Sequence, residues 1–133
     1  MTDVFAYLNK LVDDTTGLTS IAVADRDGVA VLRAPPKTGG DQQASDLQSE
    51  QILTTIFSLT TDQTTKVDLL GQCNSICLVH DDAVVLQGNF GPLVITLNGE
   101  ATADVNKLGE ILEILEQVLI PTKDVVQREI DAW

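Results

Sequence analysis

Residues 52–66 place the strongest constraint on the fold, because they predict a helix inserted between two groups of strands. Four of their side chains recur at intervals of three and four, as one face of a helix requires: Leu53, Ile56, Phe57 and Thr60. Ile52 and Leu59 widen this face beyond a narrow stripe. Such a helix can cover a sheet and still offer apolar surface to a partner, so the pattern leaves open whether Ile56 and Phe57 face the core or a partner.

The sequence before this helix predicts another helix and a β-hairpin. Thr2 or Asp3 can cap a first helix that ends near residue 13, and Gly17 can adopt the left-handed conformation that often follows a helix. Two strands are predicted at 18–24 and 29–32. A linker rich in proline, glycine and polar residues then covers 34–49, and the second helix is expected to start near Ala44 or Ser45.

The turn between the first two strands has the sequence Asp25-Arg26-Asp27-Gly28. Its Asp-Gly pair is a strong signal for a hairpin. The same residues suggest a calcium loop, but aligning Gly28 with the invariant glycine of an EF-hand places Val23 and Ala34 at the first and last ligand positions. Neither can bind calcium, so the motif predicts a hairpin turn.

Three more strands follow the central helix. Residues 67–70 are predicted to form a short extended lead-in, and strands are predicted at 75–80, 83–88 and 93–97. The turns between these three strands are short, which is typical of an antiparallel meander. The last strand is expected to end at Asn98-Gly99.

The C-terminal part predicts the clearest amphipathic helix of the chain. Thr102 can cap this helix, its apolar face runs from Val105 to Leu119, and Pro121 is expected to stop it. The remaining residues are weakly patterned: they predict either a short helix around 125–130 or a loose segment that ends at a frayed Trp133. We therefore divide the chain into a domain of residues 1–120 and a C-terminal tail of residues 121–133.

Together these elements predict an α+β fold. One five-stranded antiparallel sheet with helices on both faces would bury all three apolar helix faces. With 44% hydrophobic residues the chain can form an ordinary globular core.

Composition also limits the classes of partner. The net charge of −12 argues against binding to nucleic acid and to anionic lipid, because phosphates would be repelled. No apolar run approaches the ~20 residues of a membrane span, and the first residues show neither a secretory signal nor a myristoylation site. We expect no direct membrane insertion, so that another protein would have to hold this chain at a membrane.

The sequence predicts no catalytic, cofactor-binding or metal-binding residues. His80 is the only histidine, so neither a nucleophile–base pair nor a zinc site is indicated, and a structural or surface role is expected for it. Cys73 and Cys77 are expected to be buried, reduced thiols, because a spacing of four on a strand separates them by roughly 13 Å. No dinucleotide or phosphate-loop fingerprint is present.

Two longer motifs resemble the MAP-kinase scaffold subunit of the Ragulator complex, a roadblock/LC7-type protein. The first is Phe57-x-Leu59-x-Thr61-Asp62-Gln63-x-x-Lys66 at the end of the central helix, and the second covers residues 21–29. Shorter matches are Asn74-Ser75-Ile76 and Pro92-Leu93-Val94. The resemblance extends from about Val4 to Leu119. It departs from the family in the 34–49 linker, at Val79 and His80, and in a longer tail.

This resemblance implies the roadblock order α-β-β-α-β-β-β-α and a function. The implied function is that of a non-catalytic scaffold that forms a heterodimer with another roadblock-type subunit in a Ragulator-like complex. A lipidated, membrane-anchoring Ragulator subunit would hold the pair on the cytoplasmic face of late endosomes or lysosomes. Rag GTPases would be recruited for activation of mTOR complex 1 by amino acids, and the MAP-kinase pathway enzymes MEK and ERK would be further partners.

In this family the second helix and the third strand form the dimer interface. Carried over to this sequence, the implied interface residues are Ile52, Ile56, Leu59, Thr60, Gln63, Ser75, Ile76, Cys77, Leu78 and Val79. Two alternatives remain: a roadblock-type dynein light chain, which would form a homodimer and bind an intermediate-chain peptide, and an enzyme or small-ligand sensor that uses the sheet as a pocket.

Overall fold

The computed structural model describes residues 2–34, 41–67 and 69–132, apart from the side chains of residues 2, 3 and 41–50. The described residues form four helices and five strands. In chain order these are α1 (Thr2–Asp14), β1 (Leu18–Asp25), β2 (Ala30–Ala34), α2 (Asp41–Thr65), β3 (Ser75–Val79), β4 (Ala83–Phe90), β5 (Leu93–Glu100), α3 (Val105–Val118) and α4 (Ile120–Asp131). This is the predicted order with one further helix at its C-terminal end.

The strands form a single antiparallel sheet in the order β2-β1-β5-β4-β3. The N-terminal hairpin and the meander meet where β1 pairs with β5, for example at Ile21 and Leu97. Strands β2 and β3 are therefore the two edges of the sheet.

Helices α1 and α3 cover one face of the sheet, which we call the aliphatic face. Alternate residues of β1, β4 and β5 point towards this face, as the period of two in a strand requires. They form one buried cluster with Leu8 of α1 and four residues of α3: Leu108, Ile111, Leu112 and Leu115. Gly88 of β4 lets α3 approach closely, since a Cβ added there would lie 2.8 Å from Leu112 Cδ2.

Helix α2 covers the opposite face, which we call the α2 face. The buried strand residues on this face are small or polar, or are valines: Ser20, Ala22, Ala24, Val85, Gln87, Val94 and Thr96. Within its described side chains α2 contributes Thr54, Phe57 and Thr61 to the buried residues, and Phe57 is the single large apolar one. The sheet thus has helices on both faces, as predicted.

The motif Asp25-Arg26-Asp27-Gly28 is the turn of the β1–β2 hairpin, as predicted. The Asp25 carboxylate oxygen Oδ1 accepts hydrogen bonds from the backbone N–H groups of Asp27 and Val29, each at 2.9 Å. Arg26 donates to the Gly91 carbonyl at 3.3 Å and to Asn89 Oδ1, which ties the hairpin to the β4–β5 turn. Gly28 has a φ of +91°, which favours glycine. The motif therefore closes the β1–β2 hairpin and connects it to the β4–β5 turn.

Several predicted boundaries are wrong. Helix α2 begins at Asp41 and not near Ala44, so part of the predicted linker is helical, while residues 35–40 lie outside the described part. Val67, Leu69 and Leu70 do not form an extended lead-in: the Leu70 N–H donates to the Val67 carbonyl at 3.0 Å, which closes a turn. Strand β5 continues through Asn98-Gly99 to Glu100, because β1 and β4 both pair with it there.

The ends of the C-terminal helices also differ from prediction. Asp104, not Thr102, caps α3, and its Oδ1 accepts the N–H of Asn106 at 3.0 Å. Pro121 does not terminate the helical structure. It lies in the first turn of α4, where its missing N–H is not needed. The predicted state of Trp133 lies outside the described residues.

Candidate protein-interaction surface

Strand β3 lies at a sheet edge and pairs with β4 alone among the described residues. Its outer backbone N–H and C=O groups are therefore available to another strand. Its side chains alternate between exposed and half-buried, and Val79 is 74% exposed. Ile76 and Leu78 of β3 pair with Gln87 and Val85 of β4. Their side chains therefore point to the same side of the sheet, the α2 face.

Helix α2 points apolar side chains away from the sheet. Ile52, Ile56 and Leu59 are exposed, and Leu59 keeps 60% of its surface accessible. Thr60 is half-buried and Gln63 is exposed. The question that the sequence left open has a clear answer here, because Ile56 is 40% exposed whereas Phe57 is 0% exposed.

Several threonine hydroxyls of α2 donate hydrogen bonds to backbone carbonyls of the same helix. Thr61 Oγ1 donates to the Phe57 carbonyl at 2.9 Å, and Thr64 Oγ1 donates to the Thr60 carbonyl at 3.0 Å. Thr55 makes the same bond to the Gln51 carbonyl at 3.1 Å. Such bonds leave the methyl groups as the contact surface, so these threonines do not make the helix strongly polar.

The turn between α2 and β3 adds apolar surface that the sequence analysis missed. Leu69 is 98% exposed, and Leu70 and Val67 are exposed as well. The signal lies in the adjacent leucines before Gly71, within residues 67–70, for which the sequence predicts a short extended lead-in. We call the outward side of α2, this turn and β3 together the α2–β3 surface. All ten predicted interface residues belong to the helix and the strand that form it.

The two cysteines are not buried, so that prediction is wrong. Cys73 is half-buried and its Sγ donates to the Ser75 carbonyl at 3.4 Å, while Cys77 is exposed on β3. Both are free thiols. The reason is the edge position of β3, where neither a further strand nor a helix covers Cys77 within the described residues.

Among the side chains that the structure describes, no three of His, Cys, Asp or Glu are close enough to hold a metal ion. His80, Asp81 and Asp82 are exposed around the β3–β4 turn. A cleft lies between α2 and the β1–β2 hairpin, lined mainly by Ala22, Ala24, Gly28, Ala30, Gln51 and Thr54, and none of its lining residues is ionisable.

A search of the described helices for a membrane span gave a negative result: none combines the required length with the required hydropathy.

Comparison with known proteins identifies relatives over almost the whole chain. The sequence model of the family described as "Mitogen-activated protein kinase kinase 1 interacting" matches residues 2–130. The Ragulator complex protein LAMTOR3 of Tetraodon nigroviridis is 34% identical over 124 residues, which cover 88% of this chain and 95% of that protein. The LAMTOR3 homolog of Drosophila melanogaster is 28% identical over 130 residues, which cover 98% of each chain.

Solved structures show the same fold at low sequence identity. A roadblock/LC7 domain from Streptomyces avermitilis superposes with a TM-score of 0.75 at 15% identity and covers 89% of this chain and 95% of that domain. MglB of Myxococcus xanthus superposes with a TM-score of 0.71 at 9% identity and covers 96% of this chain and 98% of its own. The resemblance found in the sequence is confirmed. The chain therefore belongs to the family of mitogen-activated protein kinase kinase 1 interacting proteins, and it has the roadblock/LC7 fold.

Proposed function

We propose that this chain is a non-catalytic scaffold subunit of a Ragulator-type complex and that it forms a heterodimer with another roadblock-type protein through the α2–β3 surface. The proposal is carried by two observations together: β3 lies at a sheet edge and pairs with β4 alone among the described residues, and α2 exposes Ile52, Ile56 and Leu59. The names of the relatives support the complex: the LAMTOR3 proteins are called Ragulator complex proteins.

The physical argument for pairing has two parts. A partner strand beside β3 would satisfy backbone groups that otherwise bond to water, and would extend the sheet across the interface. The outward side of α2 would add apolar burial at roughly 25 cal/mol per Å² removed from water. Leu69 and Leu70 lie between the two elements in sequence, so they would extend the same interface.

The cellular role that we propose rests on the similarity to the LAMTOR3 proteins. In such a complex the chain would work on the cytoplasmic face of late endosomes or lysosomes, held there by a lipidated subunit. Recruitment of Rag GTPases for activation of mTOR complex 1 and support of MEK and ERK signalling would belong to the assembled complex. The family description, with its MAP-kinase-kinase interaction, supports the kinase part.

The first experiment measures the mass of the chain in solution, alone and co-expressed with roadblock-type proteins of its own organism. We expect a stable one-to-one heterodimer with one of them. A homodimer that is indifferent to every candidate would contradict the proposal and would favour the dynein light chain alternative. A monomer under all these conditions would also contradict it and would favour a ligand sensor.

The second experiment changes the proposed interface directly. Leu59→Asp would bury an unpaired carboxylate in the heterodimer, which costs at least about 3 kcal/mol and weakens the Kd by roughly a hundredfold or more. The matched control is Ile114→Asp, because Ile114 is also a partly exposed apolar residue, at 42%, but lies on α3. Equal binding of Leu59→Asp and Ile114→Asp in a pull-down would show that the α2–β3 surface is not the interface.

A further inference from the structure

Gln87 is a completely buried amide on the α2 face. It lies in β4, paired with Ile76 of β3 on one side and with Thr96 of β5 on the other, and it is 0% exposed. Its Nε2 donates a hydrogen bond to the backbone carbonyl of Leu53 in α2 at 3.1 Å and a second one to Thr96 Oγ1 at 3.3 Å. The sheet is thus bonded to the main chain of α2 by this side chain.

The amide of Gln87 is only partly satisfied. Among the residues that the structure describes, Gln87 Oε1 and Ser58 Oγ are buried side-chain atoms that make no hydrogen bond. A buried polar atom without a partner is costly, but an apolar side chain at this position would also remove the hydrogen bond at 3.3 Å that the buried Thr96 Oγ1 accepts. The unpaired Oε1 therefore offsets part of what the two Nε2 hydrogen bonds contribute to the stability of the isolated chain.

The location of Gln87 suggests a role in the proposed interface. The interface proposed above consists of two elements, α2 and β3, and it can match a partner only when their relative position is fixed. Gln87 belongs to the strand that pairs with β3, directly opposite Ile76, and its amide bonds to α2 at Leu53, one turn before Ile56. The Gln87 side chain thus bonds α2 to the strand beside β3, and the backbone pairing of β4 with β3 completes the connection.

We propose that Gln87 is a positioning residue, which fixes α2 relative to β3, through β4, for partner binding. This inference rests on the proposed function. Among the described side chains of α2, Phe57 is the single large apolar residue that is buried, so the hydrogen bond from Gln87 to the Leu53 carbonyl adds a polar contact that helps to set the rotation of the helix. A hydrogen bond to a backbone carbonyl sets that rotation because it depends on direction.

The test uses Gln87→Met, which keeps the length of the side chain and removes the amide. For the isolated full-length chain, we expect a melting temperature close to that of the wild type, because removal of the unpaired Oε1 offsets the loss of the two Nε2 hydrogen bonds. For the heterodimer, we expect a Kd at least tenfold weaker by titration calorimetry. A role in stability alone predicts the opposite combination, with a lower melting temperature and an unchanged Kd.

The control is Ser20→Ala. Ser20 is a buried polar residue of the same sheet face, but it accepts its hydrogen bond from Asn98 Nδ2 at 2.9 Å in the neighbouring strand and not from α2. We expect this variant to bind the partner as the wild type does. If Ser20→Ala also weakened the Kd for the partner tenfold, the positioning role of Gln87 would be overturned, because replacing any buried polar residue of this face would then have the same effect.

The outcomes also separate this inference from the proposed function. If the wild-type chain binds its partner, Leu59→Asp does not bind, and Gln87→Met binds normally, then the interface stands and the inference about Gln87 is wrong. If the wild type binds no roadblock-type protein, the proposed function fails first. If both Gln87→Met and Gln87→Leu are less stable than the wild type or do not fold, the inference is overturned regardless of any partner, since it requires the amide to be dispensable for folding.

Discussion

The two faces of the sheet are covered by helices in different ways. On the aliphatic face, α1 and α3 insert leucines and isoleucines into one continuous cluster with the alternate residues of the strands. On the α2 face, the buried residues of the strands are mostly small or polar, and Phe57 is the single large apolar residue among the described side chains that α2 buries. Three large apolar residues of α2 point outwards instead: Ile52, Ile56 and Leu59.

The two faces of the sheet are therefore expected to have different roles. Burial of large aliphatic side chains provides most of the free energy of folding, so the aliphatic face is expected to stabilise the domain. On the α2 face, the Gln87 side chain donates a hydrogen bond to the main chain of α2, and the apolar outer side of that helix remains exposed. The helix with the smaller share of the core is thus the one that is proposed to meet a partner.

The largest effect on stability is expected at Phe57, and its neighbour Ile56 is expected to show a much smaller one. Phe57→Ala should lower the free energy of unfolding of the isolated chain by about 3–5 kcal/mol, because it leaves a cavity beneath the helix. Ile56→Ala should cost less than about 1 kcal/mol in the same denaturant titration, since Ile56 is largely on the outside, and should weaken partner binding instead. Equal costs for the two variants would mean that α2 has no distinct inner and outer side.

An intermediate effect tests how tightly the aliphatic face is packed. In Gly88→Ala the new Cβ would lie 2.8 Å and 2.9 Å from the two Cδ atoms of Leu112, so we expect a loss of about 1–3 kcal/mol in chemical denaturation. The control is Gly109→Ala within α3, where an added Cβ has no neighbour within 4 Å. That variant should be stabilising by roughly 0.5–1 kcal/mol. A destabilised Gly109→Ala would show that space at Gly88 is not the cause.

The smallest expected effect concerns the cap of the helix that closes the aliphatic face. Asp104→Ala removes the side chain that accepts the Asn106 N–H, and should cost about 1 kcal/mol in a thermal melt. Thr102→Ala should change the stability by less than about 0.5 kcal/mol, because Thr102 is exposed and precedes the helix by more than one residue. The reverse ranking would restore Thr102 as the cap and contradict the structure.

Much of the fold could be predicted from the sequence because its signals are local. The alternation of the strands, the helical spacing of Leu108, Ile111, Leu112 and Leu115, and the Asp27-Gly28 turn are all readable within a few residues. Two boundary errors are local as well: Thr102 and Asp104 can both cap a helix, and a proline such as Pro121 can follow one helix or begin the next.

The candidate surface was predictable only in part. The family resemblance identified the helix and the strand, whereas Leu69 and Leu70 were missed because apolar residues next to a strand are easily taken for part of it. The exposure of Cys77 was missed for a related reason, since a thiol in a strand is usually buried unless the strand lies at an edge.

The sequence by itself determined the number, type and order of the central elements, because hydrophobic periodicity and turn residues act over short distances. Only the tertiary structure decided that Phe57 faces inwards while Ile56 faces outwards, and that the buried Gln87 bonds to the main chain of α2. These features depend on which residues, distant in the sequence, become neighbours once the sheet has formed, and a local pattern carries no information about that choice.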